Sequence, residues 1–154
     1  MSSNESKGKF SKILVAIDGS EASWDAADYA IEMAKKDRAE LIALTVIHLP
    51  FSSYGLSSAK YELKRPKEKE EILQSKDWFD KLNKRAQENK VQLKTEVINS
   101  QMSIDGEIVE YAEHHGVDLI IIGTRGSSGF KKMLLGSTVS GVVTYATCPV
   151  MVVK

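Results

Sequence analysis

The chain has 154 residues, of which 42% are hydrophobic, and its 21 basic residues balance 21 acidic ones to a formal net charge of zero. A chain of this length buries roughly 70% of the surface that its unfolded form exposes, so it can build a core without disulfides or a structural metal. A balanced charge does not provide the excess of positive charge that non-specific nucleic-acid binding requires. The sequence also has no run of about 18 apolar residues that would span a membrane. We therefore predict neither a nucleic-acid nor a membrane partner.

The first ten residues are rich in Ser, Lys and Asn and lack the apolar region of a signal peptide. They predict a short disordered leader over residues 1–10, followed by a single domain over residues 11–154. The chain has one cysteine, which fits a reducing compartment. These features together predict a cytoplasmic protein.

Five apolar runs alternate with four helical patterns along the chain. The first half predicts a strand over residues 12–17, a helix that Ser20 caps and that carries alanines at every fourth position, and a strand over residues 41–47. Residues 50–66 predict a long irregular connection that ends at Pro66. A strongly charged surface helix follows over residues 67–89.

The second half begins with an alternating strand over residues 91–98, which we place toward a sheet edge. A helix capped by Ser103 ends at Gly116, where glycine adopts a positive φ at low cost. An apolar strand over residues 117–122, a short helix from about Ser137 to Tyr145 and a last strand over residues 149–153 complete the pattern.

The alternation of apolar strands with helices predicts the α/β class: a three-layer, doubly wound, five-stranded parallel sheet with helices on both faces. In open sheets of this kind, ligands bind beyond the carboxyl ends of the strands, where the strand order reverses. The turns after the first and fourth strands are therefore the candidate sites.

The turn after the fourth strand has the pattern G-x2-G-x9-G-S-T, formed by Gly123, Gly126, Gly136, Ser137 and Thr138. Glycines let backbone N–H groups approach an anion, and a helix that begins at Ser137 directs its free N–H groups to the same place. The pattern thus predicts a phosphate site, although Ser137 could equally cap that helix without any ligand. Neither a P-loop nor a G-x-G-x-x-G motif occurs in the sequence.

The turn after the first strand contains Asp18. A carboxylate at this position could accept hydrogen bonds from ribose hydroxyls or help to hold a metal. It could also cap the following turn, and the residues leave the two readings open.

The chain resembles the universal stress proteins over about residues 12–154. The resemblance rests on ILVAIDGS at residues 13–20, VDLIIIGTRG at 117–126, GST at 136–138 and CPVMVV at 148–153. The glycine motif resembles the ATP-binding branch of the family, which implies a Rossmann-like fold of the type that binds adenine nucleotides. In that resemblance ATP, with Mg²⁺ or Mn²⁺, would contact Asp18, Val46, Gly123, Arg125, Gly126, Gly136, Ser137, Thr138 and Val139.

The resemblance also implies a homodimer joined through the last strand. The apolar residues 150–153 agree, because an unpaired edge strand is usually covered or paired, here either by a second copy or by a loop or the leader. The function that the resemblance implies is an ATP-binding, nucleotide-dependent regulatory module of the stress response, with little or no hydrolysis of ATP and an unknown protein partner. Slow ATP hydrolysis and a nucleotide-free dimeric interaction module remain alternatives. No catalytic arrangement is evident around His48 or Cys148.

Overall fold

The computed structural model describes residues 8–49, 58–124 and 135–154. The predicted alternation of strands and helices is confirmed. In chain order the elements are β1 (Lys12–Ala16), α1 (Glu21–Asp37), β2 (Glu40–His48), α2 (Ser58–Glu88), β3 (Leu93–Ser100), α3 (Ile104–His114), β4 (Leu119–Gly123), α4 (Ser137–Tyr145) and β5 (Val150–Val153).

The five strands form one parallel sheet in the order β3-β2-β1-β4-β5. Leu14 of β1 is the central register position, since it pairs with Ile42 of β2 on one side and with Ile120 of β4 on the other. The strand order reverses between β1 and β4, which places the predicted crevice at their carboxyl ends. The strand β3 lies at an edge of the sheet, as its alternating pattern predicted.

Each face of the sheet carries its own buried cluster, which confirms the doubly wound α/β architecture. Ile13 and Val15 of β1 join α1 and α2 on one face, and Leu14 between them joins α3 and α4 on the other. This division follows from the strand geometry, because successive side chains of a strand point to opposite faces. Strands that are covered on both faces therefore read as continuous apolar runs.

The alanines of α1 allow this helix to pack closely against the sheet. Ala26, Ala27 and Ala30 are fully buried, and Ala34 is almost so. Ser20 caps the helix as predicted, because its side chain accepts a hydrogen bond from the N–H of Ser23. The helix ends at Arg38, which adopts the left-handed conformation with φ 56°.

The helix α2 corrects one prediction. The chain is helical from Ser58, not from Lys67, so that residues 58–66 are not part of an irregular connection. A proline inside a helix removes one hydrogen bond and costs about 3 kcal/mol. Residues 59–65 are mostly strong helix formers, and the helix continues through the proline.

Two carboxylates hold residues 10–12 at the amino edge of the sheet. The N–H of Phe10 donates to Oδ2 of Asp37 at 3.0 Å, and Asp118 accepts from the N–H groups of Ser11 and Lys12. Phe10, which the sequence placed in the disordered leader, packs against the cluster under α1 and α2. The domain limits of 11–154 and the leader itself stay predictions. Within the described ranges, no helix is both long enough and apolar enough to cross a membrane.

Candidate functional site

A cavity of about 240 Å³ opens at the carboxyl edge of the sheet, between the ends of β1 and β4. Its walls are the turn after β1, the ends of β2 and β4, and the first turns of α3 and α4. The described residues that line it are Ala16, Ile17, Asp18, Ser20, Ser23, Leu44, Val46, Ile104, Ile108, Ile122, Gly123, Gly136, Ser137, Thr138 and Val139. The cavity therefore lies at the reversal of strand order, where the fold class predicts a ligand site.

Seven of the nine site residues predicted from the sequence line this one cavity. They come from four separate segments of the chain: Asp18, Val46, Gly123, and the run Gly136, Ser137, Thr138 and Val139. The other two, Arg125 and Gly126, lie outside the described residues. The fold thus brings together the two turns that the sequence singled out.

Asp18 stabilises the turn after β1, which is one of its two predicted roles, and its contact with a ligand stays a prediction. Its Oδ1 accepts hydrogen bonds from the backbone N–H of Ser20 at 2.9 Å and from the Ser20 hydroxyl at 2.5 Å, so it stabilises the turn. The same hydroxyl oxygen accepts from the N–H of Ser23 at 3.2 Å. Asp18 is nevertheless exposed and lines the cavity. A carboxylate held in this way is oriented before any ligand arrives.

The start of α4 confirms the predicted helix from Ser137 and excludes one of the two interpretations of that residue. Ser137 does not cap this helix, because the N-cap residue is Gly136, which makes no side-chain capping hydrogen bond. Ser137 is already the first helical residue, so its hydroxyl is not in the capping position. Among the described residues no side chain caps the first turn of α4, and its residues Ser137, Thr138 and Val139 line the cavity at the positive end of the helix dipole.

Of the two glycines at the cavity, the packing of the protein requires Gly123 but not Gly136. A Cβ on Gly123 would lie 2.6 Å from the backbone carbonyl of Ala22, so glycine lets the end of β4 contact the first turn of α1. A Cβ on Gly136 would meet only the Thr124 carbonyl oxygen, at 3.6 Å, and Gly136 has an ordinary φ of −69°. Nothing in the described protein therefore requires a glycine at position 136.

One side of the cavity is apolar, and most of its residues were not predicted as site residues. Leu44 and Val46 come from β2, Ile122 comes from β4, and Ile104 and Ile108 come from the first turns of α3. The sequence predicts the capped helix that carries the two α3 residues but assigns neither of them to a site. Their signal is their place in the first two turns after the Ser103 cap, near the carboxyl edge of the sheet.

The described lining of the cavity has few side chains that could act as an acid or a base. Asp18 is the one ionisable side chain among the described lining residues, and the described part of the chain contains no group of three His, Cys, Asp or Glu residues that could hold a metal. Nδ1 of His48 lies 2.8 Å from the carbonyl oxygen of Met102, outside the lining. Burial raises the pKa of the Cys148 thiol, which disfavours a thiolate nucleophile.

Known proteins are similar to this chain in sequence and in structure over nearly its whole length. The universal stress protein family matches residues 9–154. A universal stress protein of Methanocaldococcus jannaschii is 39% identical over 147 residues, which is 94% of this chain and 82% of that protein. UspA of Lactobacillus plantarum has a TM-score of 0.85 at 28% identity and covers 94% of this chain and 97% of its own.

A more distant structure has the same fold. It is a universal stress protein of Archaeoglobus fulgidus in complex with dAMP, with a TM-score of 0.69 at 16% identity, and it covers 94% of this chain and 98% of its own. The family match, the close relative and the shared fold agree with the motifs in the sequence. The chain therefore belongs to the universal stress protein family.

Proposed function

We propose that this protein is an ATP-binding regulatory module of the stress response, in which ATP occupies the cavity at the carboxyl edge of the sheet. One observation carries the proposal: Gly136, at the uncapped start of α4, is a glycine that the described protein itself does not need. A bare backbone beside free N–H groups is the arrangement that accepts phosphate oxygens. The neighbouring hydroxyls of Ser137 and Thr138 add donors that line the same cavity.

Different residues of the lining suit the phosphates, the ribose and the base of a nucleotide. We expect the phosphates at the start of α4, the ribose hydroxyls at the exposed carboxylate of Asp18, and the adenine against the apolar side that includes Val46. Arg125 and Gly126 complete the predicted set from outside the described residues. The dAMP bound by the Archaeoglobus protein supports an adenine nucleotide as the ligand class.

A divalent cation would be held mainly by the phosphates. The described residues include no cluster of metal-ligating side chains, and Mg²⁺ commonly binds through phosphate oxygens and water with only one or two carboxylates. We expect EDTA to weaken the binding of ATP much more than that of AMP, because only the polyphosphate can chelate the ion.

The test is calorimetric titration of MgATP into nucleotide-free protein and into two matched variants. Ser137 and Ser140 are both exposed serines of α4, but only Ser137 lines the cavity. Loss of a hydrogen bond to a charged group costs about 1.5–3 kcal/mol, so Ser137→Ala should weaken binding about tenfold or more. Ser140→Ala should bind as the parent does. Absence of binding in the parent would refute the proposal and favour the nucleotide-free interaction module.

Slow hydrolysis of ATP is the alternative that the sequence left open. Asp18 is the one described carboxylate in the cavity, and its Oδ1 already accepts two hydrogen bonds from Ser20. No second acid or base stands beside it in the described lining to activate a water molecule. Phosphate release that disappears in Asp18→Asn while MgATP still binds would nevertheless establish hydrolysis.

We also propose a homodimer joined through β5. This strand pairs with β4 on one side and forms an edge of the sheet, and Val150, Met151 and Val152 are half-buried in the single chain. An apolar edge strand of this kind is normally paired or covered. Light scattering should give twice the 17.0 kDa of one chain. A mass of one chain at micromolar concentration would contradict the dimer.

A further inference from the structure

An aromatic contact joins the Asp18 turn to α2. A Cβ on Gly19 would lie 2.3 Å from Cζ2 and 2.8 Å from Cε2 of Trp78, so the indole lies directly against the backbone of the turn. Gly19 also has a φ of +83°, a conformation that other residues adopt only with strain. The turn is therefore built so that a tryptophan from another element can cover it.

The chain around Gly19 is fixed on both sides. Before it, the N–H of Ile17 donates to the carbonyl of Leu44 at 2.9 Å, and the Thr45 hydroxyl donates to the carbonyl of Ile17 at 2.9 Å. After it, Ser20 begins α1 as the N-cap. Asp18 and Ser20 face the cavity from either side of Gly19, and the indole closes the turn from outside.

Trp78 has a firm position of its own, because the core anchors α2. Ser75, Phe79, Leu82 and Ala86 form a buried stripe at helical spacing, and three of them are no more than 1% exposed. Trp78 is half-buried beside this stripe and packs against the same cluster. Through the contact of Trp78 with Gly19, a displacement of the Asp18 turn would displace α2, and a displacement of α2 would displace the turn.

We propose that Trp78 is a positioning residue for the nucleotide cavity, which holds the Asp18 turn in its binding geometry and couples occupancy of the cavity to α2. This inference rests on the proposed ATP site. Coupling between two elements is reciprocal, so a ligand that orders the turn must also change the surroundings of the indole. The contact then gives α2, a long helix whose residues 69–88 are mostly exposed, a way to respond to the nucleotide.

The affinity test compares two indoles. Trp24 is half-buried against the same cluster, but its ring lies under the guanidinium of Arg85, with Cζ 5.3 Å from the ring centroid. Trp78→Ala should weaken MgATP binding at least about fivefold in calorimetry, the lower end of a typical coupling between sites. Trp78→Phe should restore most of the affinity, because a ring still covers Gly19. Trp24→Ala removes an indole from the same cluster and should bind as the parent does.

The spectroscopic test does not require loss of the contact. The chain has 2 tryptophans, so Trp24→Phe leaves Trp78 as the sole indole. Its emission should change on addition of MgATP and saturate with the dissociation constant that calorimetry gives. In Trp78→Phe, the remaining Trp24 emission should stay constant.

The outcomes separate this inference from the proposed function. Unchanged affinity in folded Trp78→Ala, or constant Trp78 emission during binding that calorimetry detects, would overturn the coupling and leave the ATP site intact. Equal weakening by Trp24→Ala and Trp78→Ala would reduce Trp78 to a packing residue. If the parent protein binds no nucleotide, the proposed function and the coupling fall together.

Discussion

The helices α1 and α4 both begin at the cavity, yet their starts are built differently. In α1 the N-cap Ser20 accepts a hydrogen bond from the N–H of Ser23, and in α3 the N-cap Ser103 does the same for Gly106. In α4 the N-cap is Gly136, which has no side chain to offer. A side-chain cap satisfies N–H groups at the start of a helix and so stabilises the fold. A helix start at a cavity without such a cap keeps its N–H donors available for a ligand.

The largest expected difference is between substitutions of Gly123, which contacts the start of α1, and of Gly136, the N-cap of α4. Gly123→Ala would press a methyl group into the Ala22 backbone of α1, since the Cβ would lie 2.6 Å from that carbonyl. We expect the free energy of unfolding in urea to fall by about 2–3 kcal/mol, the upper part of the range for overpacked cores. Gly136→Ala has room for its Cβ and should change it by less than about 0.5 kcal/mol. Equal losses in both variants would contradict this assignment of the two glycines.

The cap of α1 should have a smaller effect on stability and a separate effect on binding. Ser20→Ala removes the cap and one of the two hydrogen bonds that orient Asp18, and it should cost about 1 kcal/mol of stability. Ser103→Ala is the matched control, because it removes the cap of α3 at about the same cost and does not line the cavity. Urea unfolding should give similar losses, while calorimetry should show weaker MgATP binding only for Ser20→Ala. Equal MgATP affinities would mean that the orientation of Asp18 does not depend on Ser20.

The sequence predicted most of the fold and much of the cavity for physical reasons. Strands buried on both faces have continuous apolar runs, and a parallel sheet brings the turns after β1 and β4 together, so Asp18 and Gly136 could be placed at one site from spacing and resemblance. The contact of Trp78 with Gly19 could not be predicted, because it joins residues 59 positions apart through the packing of α2. Ile104 was missed for a similar reason: its periodicity indicates burial and does not distinguish a core from a cavity wall.

The smallest expected effect comes from giving α4 the serine N-cap that α1 has. Gly136→Ser gives α4 a side-chain cap in a backbone conformation that serine adopts without strain, since φ is −69° and ψ is 166°. Serine exceeds glycine as an N-cap by a few tenths of a kcal/mol, and the loss of glycine flexibility in the unfolded chain adds to this, so stability should rise by about 0.5 kcal/mol. The new hydroxyl would occupy the N–H groups that we assign to phosphate, so MgATP binding should weaken as the fold strengthens. Thermal unfolding and calorimetry on the same preparation measure both changes. A variant that gains stability and keeps its affinity would show that the open start of α4 is not where the phosphates bind.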